Sequence, residues 1–277
     1  MIDLHVHSTY SDGTLSPTEL ILLAQREGVE AVALCDHNTV AGLPEFWEAA
    51  RGSGVEAVAG IEFSTDYQGT ELHILGLFIQ PRHREAITAR MEEMVRRKDR
   101  SNEALVEALR AAGIPLDYAA IKAGTPNGQV NRAVIGAEMV RLGYCESVKE
   151  AFSKWLSQKR GFYQPPERPD AFEIIRFIKS IDAAAVLAHP FLNLDEQRLR
   201  VFLRQAVPAG LDAMEVYYPL FDREQTALAS RIAEEFGLLK SGGSDFHGKN
   251  KPDICLGTGK GNLCIPRKLL QELEQRR

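Results

Sequence analysis

Histidine is the residue whose placement points to chemistry in this chain. Of seven histidines, six (His5, His7, His37, His73, His189 and His247) fall in or just after segments rich in apolar and β-branched residues, which read as strands. His5 and His7 are two apart in IDLHVH and so point to the same face of a strand, with Asp12 on the loop that follows. An isolated His-x-His says little. Here it is joined by Asp36 and His37 after EAVALC, Glu62 in EAVAGIEF, His73 in TELHILGLFI, His189 in AAAVLAHP, and Asp245 with His247 in SGGSDFHG. Side chains from strands distant in sequence converge where strands end, so one rim should gather nine donors: His5, His7, Asp12, His37, Glu62, His73, His189, Asp245 and His247. If these groups only packed, each would need a hydrogen-bond partner, and an unpaired buried polar group costs on the order of 1 to 3 kcal/mol. Imidazole and carboxylate without thiolate favour Mn²⁺, Zn²⁺ or Fe²⁺ over a soft-metal site. Nine donors exceed the four of a structural ion, so two or three divalent ions are expected, with positions left open for water and substrate.

The elements that must position these donors follow a βα rhythm, in which short apolar runs alternate with amphipathic stretches. The first helix is bounded by Ser16 as N-cap, Pro17 at its first position, Glu19 completing a capping box and Gly28 as its stop. About seven strands are expected. Between residues 81 and 163 the strand signal vanishes and helical patterns run over 84–112, 131–142 and 147–158. The domain reading is therefore a body of 1–80 and 164–277 with a helical insertion at 81–163, much of which is bracketed by linker-like segments at 124–129 and 163–169. The chain has 277 residues and a net charge of −5. Residues 82–160 hold 15 Lys or Arg against 10 Asp or Glu, so the rest carries −10. An acidic body suits cations; a basic segment either attracts an anionic substrate or is a solvated helical surface.

The motifs DLHVHSTYSDGTLSP, ALCDHNT, GIEFST, the His73 strand, LAHP and GSDFHG resemble, in order, those of the PHP (polymerase and histidinol phosphatase) family of metallophosphoesterases. The resemblance spans the whole body. It implies a distorted seven-stranded β/α barrel of TIM-like type, with an inserted helical module that covers substrate. It also implies ligand sets: His5, His7, Glu62 and Asp245 for one ion, Glu62 bridging to a second held by His73 and His189, and Asp12, His37 and His247 for a third. An aspartate at the Asp12 position and a helical insertion are similar to the nucleoside 3′,5′-bisphosphate phosphatase and 5′ to 3′ exoribonuclease branch. There an Arg after Asn contacts substrate; here it is Arg132, with Ala133 where that branch often has proline. Asn131 also reads as an N-cap, which places Arg132 beside free backbone N–H groups.

The chemistry expected is hydrolysis of a phosphomonoester. Two ions about 3.5 to 4 Å apart share a hydroxide and clamp the transferring group, with Glu62 bridging them. A third ion neutralises charge in the transition state, and Asp12 or His247 assists the leaving group. The substrate expected is a small nucleotide such as a 3′,5′-bisphosphate, or the 5′ end of a short RNA; few convergent aromatics and no RNA-binding signature argue against a long duplex. The alternatives are a histidinol-phosphate phosphatase and, in another class, a non-catalytic metal-binding PHP module. Ser244 is expected either to donate to phosphate or to belong to the turn that carries Asp245. Asp36 is expected to orient a ligand from behind. Lys240, Arg160 and His83 read as surface residues, and Cys35 as a small buried hydrophobe. No 18-residue apolar span and no signal-peptide pattern are present, so a cytoplasmic protein without a membrane partner is expected.

Overall fold

A computed structural model of the chain describes residues 1–128 and 130–276; Gln129, at the end of the expected linker, and Arg277 lie outside the described residues. The apolar runs form seven strands: β1 (Ile2–Val6), β2 (Ala31–Leu34), β3 (Glu56–Tyr67), β4 (Thr70–Leu77), β5 (Ala184–Leu187), β6 (Ala213–Tyr217) and β7 (Leu239–Gly242). They lie side by side in sequence order. Pairing is parallel from β1 to β3 and from β5 to β7, whereas β4 runs antiparallel to both β3 and β5. Leu4, Ala33, Leu75, Val186 and Ala213 are buried between the sheet and its covering elements. Strands covered on both faces read as near-continuous apolar runs, which is how they were recognisable.

The expected barrel is corrected to an open, curled seven-stranded half-barrel. β1 and β7 share no ladder. Instead β1 meets the segment after β7 through one parallel bridge, Val6 to Phe246. Two backbone bonds accompany it: His7 N–H donates to Phe246 O at 2.9 Å, and Asp245 N–H to His5 O at 2.8 Å. The backbone crosses so close to β1 at Gly243 that a Cβ there would lie 2.3 Å from the Cβ of His5. Only glycine fits that crossing, which accounts for Gly243 in SGGSDFHG.

The helices of the described residues are α1 (Pro17–Arg26), α2 (Leu43–Ala50), α3 (Arg84–Ala111), α4 (Tyr118–Gly124), α5 (Arg132–Arg141), α6 (Val148–Ala151), α7 (Ala171–Ser180), α8 (Glu196–Ala209), α9 (Arg223–Glu235) and α10 (Arg267–Arg276). The capping box at Ser16 and Glu19 is formed. Asn131 caps α5 by accepting from Val134 N–H. The helix expected over 147–158 divides into α6, a π-helical turn at Phe152–Leu156 and a 3₁₀ turn at Gln158–Arg160.

The chain forms two compact units, Met1–Thr88 with Arg168–Arg277, and Ala89–Glu167. The second is helical, with Leu105, Leu109, Ile135, Met139 and Leu156 in its core. All four cysteines are free thiols, Cys35 and Cys145 buried. No helix of the described residues is long and apolar enough to cross a membrane.

Candidate metal centre

The strands bring the six expected histidines together. Neighbouring rings lie 5.0 Å apart for His5 and His7, 4.6 Å for His7 and His37, 5.1 Å for His37 and His73, 5.1 Å for His73 and His189, and 5.8 Å for His189 and His5. Five imidazoles thus close a circuit, and His247 stacks on His7 at 4.1 Å. His73 joins this rim from the start of its strand because β4 is reversed. Glu62 was expected to end its strand, but β3 continues to Tyr67 as one arm of a hairpin with β4.

Glu62 occupies the middle of the circuit. Its Oε1 lies 2.8 Å from His73 Nδ1 and 3.1 Å from His189 Nε2; its Oε2 lies 3.3, 3.2 and 3.1 Å from His5 Nε2, His7 Nε2 and His37 Nδ1. Asp245 Oδ1 faces His7 Nε2 at 3.3 Å and His5 Nε2 at 3.8 Å. Asp12 faces His247 Nε2 at 3.1 Å, and His7 Nδ1 and His37 Nε2 each at 3.8 Å. Two of these residues sit in left-handed backbone, His189 at φ 27° and Asp245 at φ 54°. Such geometry costs on the order of 1 to 3 kcal/mol and persists where the surroundings enforce it.

A metal fits these residues. His5 Nε2, His7 Nε2, Asp12 Oδ1, His37 Nδ1, Glu62 Oε2 and His73 Nδ1 are all buried without a hydrogen-bond partner. Buried polar atoms are normally paired, so six orphans directed at one another indicate positions shaped for cations. Three groupings have donor atoms close enough to share an ion: His7, Asp12, His37 and His247; His5, His7 and Asp245; and His37, Glu62 and His73. They include eight of the nine expected residues; His189 reaches the cluster through Glu62.

Within the cluster, neighbouring charges compete with burial. Burial alone would raise the Glu62 carboxyl, yet His37, His73 and His5 hold it well below the usual carboxylate range. Burial would likewise depress His7 and His73, but Asp245 and Glu62 lift His7 to about 9, and Glu62 with Glu71 lifts His73 to about 10. Burial prevails at His37, pushed down to about 3. Metal loading must therefore displace protons.

Behind the donors stand carboxylates that the sequence reading passed over. Glu215 accepts at 3.0 Å from His5 Nδ1 and at 2.6 Å from His189 N–H. This contact directs His5 Nε2 into the cluster, as a carboxylate behind a metal-binding imidazole does. Glu71 lies 3.3 Å from His73 Nε2 and is itself bound by Arg168 at 2.7 Å. Asp3 binds Ser244 and Gly257, and fastens the segment after β7 to β1. Asp3 and Glu215 are carboxylates inside otherwise apolar strands, a pattern that alone marks buried polar work.

Other expectations found different partners. Ser244 does not present a free hydroxyl to phosphate: Oγ donates to Asp3 Oδ2 at 2.5 Å and N–H to Asp3 Oδ1 at 2.8 Å. Asp36 touches no metal-facing histidine nitrogen; it accepts from Ser8 Oγ at 2.6 Å and Ser11 Oγ at 2.7 Å, and Ser11 Oγ lies 3.5 Å from His7 Nδ1. Arg132 belongs to the helical unit, where its guanidinium stacks on Tyr163 at 4.1 Å and Phe152 at 5.4 Å and donates to Leu156 O. Lys240 pairs with Glu234, Arg160 donates to Ser153 O, and His83 accepts from Arg82.

Comparison with known proteins gives this geometry its context. The PHP domain pattern matches residues 3–114. A 5′-3′ exoribonuclease of Haemophilus influenzae is 36% identical over 246 residues, covering 88% of this chain and 89% of its own. A 3′,5′-nucleoside bisphosphate phosphatase of Chromobacterium violaceum is 29% identical over 288 aligned positions, 99% and 97% of the two chains. The solved structure of a presumptive metal-dependent phosphoesterase from Bifidobacterium adolescentis superposes with a TM-score of 0.86 at 28% identity, over 99% and 95% of the two chains. Fold, donor set and relatives together make this chain a metal-dependent phosphoester hydrolase. It belongs to the PHP family.

Proposed function

We propose that the enzyme hydrolyses a phosphomonoester of a nucleotide, a 3′,5′-bisphosphate or the 5′ end of a short RNA. His5, His7, Asp12, His37, Glu62, His73, His189, Asp245 and His247 would hold two or three divalent ions, with Mn²⁺ first and Zn²⁺ or Fe²⁺ as substitutes. Six buried donor atoms without a hydrogen bond, one of them Glu62 Oε2 and three others the imidazole nitrogens 3.1 to 3.3 Å from it, carry this reading. When bound, such ions polarise phosphoryl oxygens and make water a nucleophile near neutral pH. Glu62 has five imidazoles on its two oxygens and would be the residue shared between ions. Glu215 holds His5 in the orientation that presents Nε2. Asp12 or His247, 3.1 Å apart at the rim, would assist departure of the leaving oxygen. Arg132 is retained as a candidate substrate cation from the family resemblance, and Ser244 as a residue that supports Asp245 rather than one that binds phosphate.

The test uses purified protein loaded with Mn²⁺ and offered adenosine 3′,5′-bisphosphate, a short 5′-phosphorylated RNA and histidinol phosphate. Phosphate release from either nucleotide substrate supports the proposal. Release from histidinol phosphate alone overturns the nucleotide reading, and no release with a full metal complement would favour a non-catalytic module.

A further inference from the structure

The scissile phosphate belongs at the donor cluster; the remainder of the substrate needs its own surface. A cavity of about 300 Å³ opens beside Asp245. The two oxygens of that carboxylate face opposite ways. Oδ1 meets His5, His7 and His247, while Oδ2 accepts from Tyr218 OH at 2.8 Å and Lys251 Nζ at 2.6 Å. Asp245 is thus the partition between cluster and cavity, and a group seated in the cavity lies one carboxylate away from the donors. Tyr218 packs on His189 at 5.4 Å and on Phe221 at 5.1 Å, so this wall is braced by a residue of the cluster itself.

The lining combines an apolar surface with two cations. Leu220, half exposed, and the buried Ile254 supply apolar wall. Lys251 and Lys260 supply ammonium groups, that of Lys251 already bonded to Asp245, and Asp253 also lines the cavity. The volume is at the small end of ligand sites, which run from roughly 300 to 1,000 Å³. That suits one planar ring system with one further anionic group, and not a polyanion.

We propose that this cavity is the nucleoside subsite: the base lies against Leu220 and Ile254, and the phosphate that is not cleaved meets Lys251 and Lys260. The proposal rests on the nucleotide reading above and narrows it towards compact bisphosphates.

The test compares adenosine 3′,5′-bisphosphate with ribose 5-phosphate, which lacks the base and the second phosphate, on the full-length Mn²⁺-loaded protein. Leu220→Ser and Lys260→Ala alter exposed side chains, so neither threatens folding. The readout is the ratio of kcat/KM for the two substrates, with adenosine 5′-monophosphate affinity by calorimetry as a second measure. Leu220→Ser should lower the ratio about tenfold, the scale of losing a few methylene contacts in a specificity pocket. Lys260→Ala should lower it up to about fivefold, as expected of an exposed charge. Calorimetry should follow the same order. An unchanged ratio and unchanged affinity in both variants would overturn the subsite. Should the parent protein hydrolyse neither compound nor the short 5′-phosphorylated RNA, the nucleotide reading fails on its own, and calorimetry decides the cavity. Adenosine monophosphate binding the parent no more tightly than ribose 5-phosphate then overturns it; tighter binding that both variants weaken upholds it.

Discussion

The two compact units bury different kinds of residue. In the unit formed by 1–88 and 168–277, the buried polar groups include Asp3, His5, His7, Asp36, Glu62, His189, Glu215, Asp245 and His247; among the described residues of 89–167, the buried polar residue is Asn102, whose side chain donates to Val130 O. Burying a polar group is unfavourable unless it is paired. A helical core such as that of Leu105, Ile135 and Leu156 avoids the cost by being apolar. The strand unit accepts it, and even leaves donors unpaired. Buried polarity therefore marks where the molecule has been shaped for something other than stability.

The strongest way to break this contrast is at its centre. Glu62→Gln keeps the shape of the side chain but removes the charge that five imidazoles face. Turnover should fall on the order of 10³-fold, and metal stoichiometry should drop with it. Elemental analysis beside a phosphate-release assay checks both; full metal content with full turnover would remove Glu62 from the centre. The matching change in the other unit is Ile135→Ala. It should cost about 2 to 5 kcal/mol by leaving a cavity, visible as an earlier unfolding transition, with metal content unaltered.

Metal removal sharpens the same division. An ion that binds only the folded strand unit stabilises it by about 2.7 kcal/mol when present at a hundredfold above its Kd. Exhaustive chelation should thus lower the unfolding temperature, and Mn²⁺ should restore it. A transition indifferent to both treatments would mean that the orphaned donors hold nothing. Glu215→Gln comes next in size. Losing the carboxylate behind His5 should weaken metal affinity roughly 10- to 100-fold while leaving stoichiometry intact at saturating Mn²⁺.

How far the sequence announced all this depends on whether a residue's signal was local. His5 and His7 were legible because alternation alone sets them on one face, and Ser16 and Glu19 because a capping box lies within four residues. Glu62 was legible as a donor from its own segment and as a bridge only through the family resemblance, since its central place comes from β4 folding back beside β3 and delivering His73. The opening of the sheet was equally hidden: it depends on where the backbone at Gly243 crosses His5, a contact between residues 238 positions apart. Ser244 was open to two readings for the same reason. A serine beside a ligand suggested phosphate binding, yet Asp3, from the far end of the chain, takes both its hydroxyl and its backbone N–H.

Arg132 is where the contrast between the units is least settled by burial, so the smallest predicted effect is also the most discriminating. Its guanidinium stacks on Tyr163 and Phe152, a contact worth about 0.5 to 1 kcal/mol at an exposed site, and it donates to Leu156 O. Arg132→Ala should move unfolding of the helical unit by about that amount whatever else the residue does. If it also carries substrate charge, KM for adenosine 3′,5′-bisphosphate should rise severalfold with kcat little changed, and Arg132→Lys should recover part of the KM but less of the stacking. A shift in the unfolding transition with KM unmoved in both variants would confine Arg132 to packing and leave the chemistry wholly to the strand unit.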